Sequence, residues 1–111
     1  MKGFAIFLKS WDNSRLAYLV EIAFEKESQR KGFGSYLLSK SLLYLNKEGI
    51  SIIVLHVDPN NLPGLHFYYE KFGFEFVEYR KNEYGQGRDR LFLKLDIDNW
   101  IKSLSRQKEN L

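Results

Sequence analysis

The stretch QRKGFGS, Gln29 to Ser35, constrains the fold more than any other, because the hydrophobic period changes across it. Before it, from about Arg15 to Phe24, Leu19, Val20, Ile22, Ala23 and Phe24 form an apolar run interrupted by one acid, Glu21. Strand alternation puts Glu21 on a face with Leu19 and Ala23, and points Val20, Ile22 and Phe24 the other way. After it, Leu37, Leu38, Ser41, Leu42 and Leu45 recur at helical spacing, with Lys40 and Lys47 off that stripe and Gly49 placed to stop the helix. A strand, a glycine-spaced turn and a helix start therefore follow one another.

The letters RKGFG fit two kinds of recognition: an aromatic displayed to RNA from a sheet, or a phosphate held at a turn. The change of period favours the second. RNA-binding aromatics must lie on a strand, whereas Phe33 falls in a turn and Tyr36 on a helix. A helix start gathers unpaired N–H groups and the positive end of the helix dipole, and the missing side chains of Gly32 and Gly34 admit a phosphate closely. The turn is no Walker loop, since no Gly-Lys-Ser/Thr ends it, and no Rossmann fingerprint, since it has only two glycines. On spacing alone, a turn that merely starts a helix is the alternative.

Flanking segments complete an alternation of strands and helices. Gly3 to Leu8 reads as a strand, and WDNS at Trp11 to Ser14 turns the chain into the next. Ser51 to Val57 is a β-branched run fit for a buried strand. DPNNLPG is a loop with Pro63 suited to an early helical position, and LHFYYEKFG carries a short helix. FEFVEYR and RLFLKLDI read as an antiparallel pair joined by the polar loop KNEYGQGRD. Asp98 can cap a last helix with Trp100, Ile101 and Leu104 on one face and Arg106 and Lys108 near its end.

At 111 residues this is one domain's worth of chain, read as a single domain 1–111 with a core over about 3–95 and a C-terminal helix or tail over 96–111. The 44% hydrophobic and 28% charged content is that of a globular protein. Its 17 basic and 14 acidic residues are interspersed, so an ordinary solvated surface is favoured over nucleic-acid binding. No window approaches the ~18 apolar residues of a membrane span, and the opening apolar run reads as a strand rather than a leader. Without cysteine there is no disulfide framework or thiol nucleophile, which suits the cytoplasm, and two histidines are too few for a histidine-rich metal cluster.

The order strand, QRKGFG, helix, strand, NNLPGLHFYYEKFGF, two strands resembles the GNAT family of acetyl-CoA-dependent N-acetyltransferases. The family pattern Gln/Arg-x-x-Gly-x-Gly/Ala is met by Gln29, Gly32 and Gly34. Its Asn followed by a helix ending in Tyr-x-x-x-Gly-Phe is met by Asn61, Tyr69, Gly73 and Phe74. The resemblance implies an α/β (α+β) fold of the acyl-CoA N-acyltransferase type, with a mixed, mostly antiparallel sheet flanked by helices. It further implies acetyl-CoA as cosubstrate and no metal. Pantetheine would enter a gap between the strand of Ile22, Ala23 and Phe24 and the strand of Leu55 and Val57. The pyrophosphate would lie on the turn of Arg30, Lys31, Gly32, Phe33, Gly34 and Ser35.

Two departures follow from the same comparison. Asn61 stands one residue further from the tyrosine than the family pattern has it, so counting from Asn61 selects Tyr68 and counting back from Gly73 selects Tyr69. Helix packing favours Tyr69, because Leu65, Tyr68 and Phe72 then face the sheet and no lysine does; an extra loop residue is the expected adjustment. The chain also begins after the strand and helices that usually wall the acceptor site. A second subunit, the helix from Asp98 or an open peptide cleft is then expected on that side, with a homodimer the preferred arrangement.

Direct acetylation needs a neutral amine, a donor at the thioester oxygen and a proton for the departing thiolate. A strand N–H near Ala23 or Phe24 suits the oxygen, and a tyrosine hydroxyl suits the sulfur because phenol and thiol pKa values lie within ~2 units. Tyr69 is assigned that role, with Tyr68 as the alternative. Glu21, an acid within an apolar strand, is the first candidate base, and His56 the second. Gln29 and Asn61 are counted with the cofactor-binding residues, Asn61 as a holder of a backbone or cofactor group; against these assignments stand an edge carboxylate, a structural histidine, core tyrosines and a turn-forming Asn61. The expected reaction is acetyl transfer to a primary amine of a small molecule, protein or peptide. The rival is a catalytically silent CoA-binding or assembly module.

Overall fold

The computed structural model describes residues 3–24 and 32–109. Its elements are β1 (Gly3–Lys9), β2 (Leu16–Phe24), α1 (Phe33–Lys47), β3 (Ile52–Val57), α2 (Leu62–Leu65, continued as a π-helical stretch His66–Lys71), β4 (Glu75–Arg80), β5 (Arg90–Asp96) and α3 (Ile97–Glu109). Five strands in the order β1-β2-β3-β5-β4 form a mixed sheet flanked by helices. The chain divides into two compact units, Met1–Ile53 and Val54–Leu111, with the boundary inside β3.

In the first unit β1 and β2 run antiparallel, with Ile6 opposite Glu21 but Phe7 opposite Leu19. Val20 is thus an extra residue on β2, and strict alternation stops there. The sequence expectation that Glu21 shares a face with Leu19 fails for this reason: Leu19 is buried and Glu21 exposed. Beneath the pair, α1 buries Leu38 and Leu42 completely, each contributing roughly 1.5–3 kcal/mol through removal of apolar surface from water. Gly49 ends this helix with a φ of 93°, from which its N–H reaches the Asn46 carbonyl at 3.0 Å, while the Ile50 N–H reaches that of Leu45 at 2.9 Å. That double return satisfies the last carbonyls and drives Ile50 into the core.

The second unit packs Leu55, Val57, Phe74, Leu93 and Leu95 with Ile97 and Trp100 of α3 as its buried residues. Phe72 stacks on Trp100 with ring centroids 6.0 Å apart. The cap of α3 differs from the sequence expectation: Asp96, not Asp98, accepts the N–H of Asn99 at 3.0 Å. The helix starts directly after β5, so the last strand residue takes the capping position and Asp98 falls in the first turn, where its charge complements the dipole. β4 and β5 pair antiparallel as expected, with a register shift between Phe76 and Glu78.

Candidate active site

Within the first unit, α1 begins at Phe33, two residues earlier than the change of period at Ser35 suggests. Gly32 precedes it in the left-handed conformation at φ 73°, which glycine adopts at no steric cost, and supplies no side-chain cap. No acid lies in the first turn. Gly34 is buried, and Phe33 stacks on Tyr36 at 6.3 Å. The hydroxyl of Ser35 is buried without a hydrogen-bond partner among the described residues. First-turn amides have no acceptor inside their own helix. Among the described residues, a helix start with no side-chain cap at Gly32, no acid in its first turn and an orphaned Ser35 hydroxyl fits a phosphate group. Gln29, Arg30 and Lys31 lie outside the described residues. Of the β2 residues assigned to pantetheine, Ile22 and Ala23 are half-buried, and the backbone of Phe24 closes the pairing with β1 opposite Gly3.

In the second unit Asn61 caps α2, its Oδ1 accepting the Gly64 N–H at 3.0 Å. The helix that Asn61 opens contains a π-helical turn, in which the Phe72 N–H reaches back five residues to the Phe67 carbonyl at 3.2 Å. A π-helical turn holds one more residue than an α turn, so it absorbs an insertion without losing the packed face. Leu65 and Tyr68 are half-buried and Phe72 buried, whereas Tyr69 is 55% exposed. Tyr68 lies edge-on to Phe67 and Phe74, and burial pushes its phenol pKa above the usual value. Tyr69 is thus the more exposed residue of the pair. His66 pairs with Glu70 one turn along, at 2.7 Å on the exposed side.

Sequence reasoning missed Tyr84. Its hydroxyl lies 2.5 Å from His56 Nε2, and the two rings meet at 5.1 Å with Phe92 on the other side at 5.5 Å. The loop before β5 holds Tyr84 by its own hydrogen bonds. The Asn82 N–H donates to Asp89 and the Gly87 N–H to the Asn82 side chain, both at 2.8 Å. Arg90 lies over the Tyr84 ring at 4.9 Å and Arg80 over Phe92 at 4.0 Å. Burial against these groups, then the positive charge of Arg90 with a further contribution from Arg80, lowers the His56 pKa below 6.5, against an opposing pull from Glu83. These surroundings favour the neutral ring, while the residue stays exposed. Tyr84 sits 28 positions from His56 in the chain, so no local spacing could signal the contact. Glu21 keeps the exposed position on β2 described above.

Comparison with known proteins gives a consistent picture. The profile of the acetyltransferase (GNAT) family matches residues 2–74. A [ribosomal protein bS18]-alanine N-acetyltransferase of Haemophilus influenzae is 39% identical over 82 residues, covering 74% of this chain and 53% of that protein. The ribosomal-protein-S18-alanine N-acetyltransferase of Escherichia coli superposes with a TM-score of 0.71 at 30% identity, over 86% of this chain and 61% of the other. A streptothricin acetyltransferase fold from Bacillus anthracis, solved with acetyl coenzyme A, superposes with a TM-score of 0.73 at 24% identity over 85% of this chain and 54% of the other. The chain thus spans about half to three-fifths of the length of these proteins.

Proposed function

Because the chain belongs to the GNAT family of acetyltransferases, we propose that it transfers an acetyl group from acetyl-CoA to a primary amine, most consistently that of a protein or peptide. The observation that carries this reading is His56: an exposed histidine on β3 whose Nε2 meets the Tyr84 hydroxyl at 2.5 Å and whose pKa is lowered by burial and by Arg90, favouring the neutral ring. The names of the relatives, which act on an alanine of a ribosomal protein, favour a protein acceptor over a small amine.

When bound, acetyl-CoA supplies an acetyl thioester. The residues to hold it are the start of α1, with Gly32, Gly34 and the Ser35 hydroxyl, and the main chain of Ile22 to Phe24. His56 Nε2 takes the proton of an incoming ammonium, directly or through a water that replaces the Tyr84 hydroxyl. Tyr69, more exposed than the half-buried Tyr68, holds on its Oη the proton for the leaving sulfur. His56 replaces Glu21 as first choice of base because its ring is held by the Tyr84 hydroxyl and lies beside Phe92. A cytoplasmic setting suits a chain without cysteine, and a homodimer over the acceptor side belongs to the same reading.

Calorimetry with acetyl-CoA, followed by thiol release in the presence of alanine-initiated peptides and of small amines, tests the proposal. Binding with faster thiol release from the peptides supports it. Binding without release from any amine would establish the silent CoA module instead, and absence of binding would remove both.

A further inference from the structure

His56 stands at the centre of a row of side chains that ends in an arginine on each side. Tyr84 and Phe92 flank the imidazole, and beyond them the guanidinium groups of Arg90 and Arg80 lie over the Tyr84 and Phe92 rings. The two arginines are register partners where β4 and β5 meet the loop. Like charges placed opposite one another oppose strand pairing, so each needs compensation on its own side. Arg80 finds it in Glu78 and Glu83. Arg90 donates from Nη1 to the Asp89 carbonyl at 2.7 Å and stands 3.8 Å from Asp58, just past the end of β3.

The two ends of the row differ in what they fasten. Arg80 and its acidic partners all belong to β4 and the loop, and the Phe92 ring beneath it can offer His56 only carbon. Arg90 joins three segments: its own strand, the end of β3 through Asp58, and the loop through Tyr84. Its side chain is 22% exposed against 44% for Arg80, so its contacts are less screened by water. The Tyr84 hydroxyl lies 2.5 Å from Nε2 and 3.3 Å from Nδ1. A phenol, with a pKa of about 10, gives up its hydrogen far more readily than a neutral imidazole N–H, so the hydroxyl donates and Nε2 accepts. The proton of the neutral ring then sits on Nδ1, because the bond made by one ring nitrogen sets the state of the other.

We propose that Arg90 is a positioning residue for proton transfer: by holding the Tyr84 ring against His56 it keeps the imidazole in the Nδ1–H form, with the Nε2 lone pair presented as the acceptor. The proposal rests on the acetyl-transfer reading, in which His56 is the base. The charged groups that bear on the ring are Arg90 from β5, Glu83 from the loop and Arg80 from β4; burial and the two arginines disfavour the imidazolium, and Glu83 opposes them. Lysine cannot take the place of Arg90. Its compact ammonium can face Asp58, but it has no planar fork to lie over a ring and donate in the same geometry.

The state of the ring is read by nitrogen-15 NMR of the imidazoles at about pH 8, without substrate, with His66 beside Glu70 as the internal reference. The unaltered chain should show His56 mainly as Nδ1–H. Arg90→Lys keeps the charge and should give a mixture with Nε2–H at a nearly unchanged titration midpoint, whereas Arg90→Gln should give the mixture and raise the midpoint by about half a unit. Arg80→Gln should leave the Nδ1–H form in place. Tyr84→Phe, which removes only the hydroxyl, should reproduce the mixture and serves as the second variant if Arg90→Lys does not fold. In acetylation of an alanine-initiated peptide, Arg90→Lys should lower kcat about tenfold with little change in the KM for acetyl-CoA. A predominant Nε2–H form in the unaltered chain, an Nδ1–H form that survives both Arg90→Lys and Tyr84→Phe, or a changed form with unchanged kcat each overturns the proposal. A chain that holds the Nδ1–H form in this Arg90-dependent way yet acetylates no amine would instead overturn the acetyl-transfer reading, and with it the catalytic half of the proposal alone.

Discussion

Replacing Gly64 by alanine exposes a coupling that helix propensity alone would misjudge. Alanine is about 1 kcal/mol more favourable than glycine in a helix, so the change would ordinarily stabilise α2. A Cβ at Gly64 would lie 2.5 Å from Asn61 Nδ2 and 2.9 Å from its Cγ, inside any normal contact. The Asn61 side chain must swing away, and the cap on the Gly64 N–H, worth about 1 kcal/mol, is lost with it. Gly64→Ala alone should therefore be neutral or destabilising by up to about 1 kcal/mol. Asn61→Ala alone should cost about 1 kcal/mol. With the cap already removed, the new methyl has room and alanine contributes its propensity, so the double variant should return close to the stability of the unaltered chain. Urea unfolding followed by circular dichroism gives the cycle. If the two changes add to within about 0.5 kcal/mol, Asn61 is not the group that keeps residue 64 a glycine.

Further outcomes follow from the same geometry. Gly34→Val, at the buried start of α1, should weaken acetyl-CoA binding at least tenfold while the thermal transition remains cooperative; unchanged affinity would place the phosphate elsewhere. Tyr69→Phe should lower kcat by about a hundredfold with little change in acetyl-CoA affinity, as expected for a lost general acid, and a larger fall from Tyr68→Phe would reverse the assignment. An NMR titration of the His56 ring should give a midpoint below 6.5, raised towards 6.5 in Arg90→Gln because the lowering charge is gone; a midpoint at or above 6.5 in the unaltered chain contradicts the environment described. The sign for stability follows, since a histidine held neutral by the fold contributes stability above pH 6.5 that is lost as the pH falls through its folded value.

What the sequence makes legible is what depends on neighbours in the chain. The helix start after Gly32 and the stop at Gly49 each follow from residues within a few positions, because a helix end is satisfied by its own termini. Features made by pairing are not legible in this way. Nothing in LAYLVEIAF marks Val20 as the extra residue, since its place is set by which residues of β1 stand opposite, yet it decides that Glu21 leaves the face of Leu19. The helix of Tyr68 and Tyr69 lies between these cases: the spacing suggested an added residue, and the five-residue hydrogen bond to Phe67 shows a widened turn with room for one. That difference bears on function. In that widened turn Tyr68 is half-buried and edge-on to Phe74 while Tyr69 stays 55% exposed, and the proposed assignment of the general acid to Tyr69 rests on this difference.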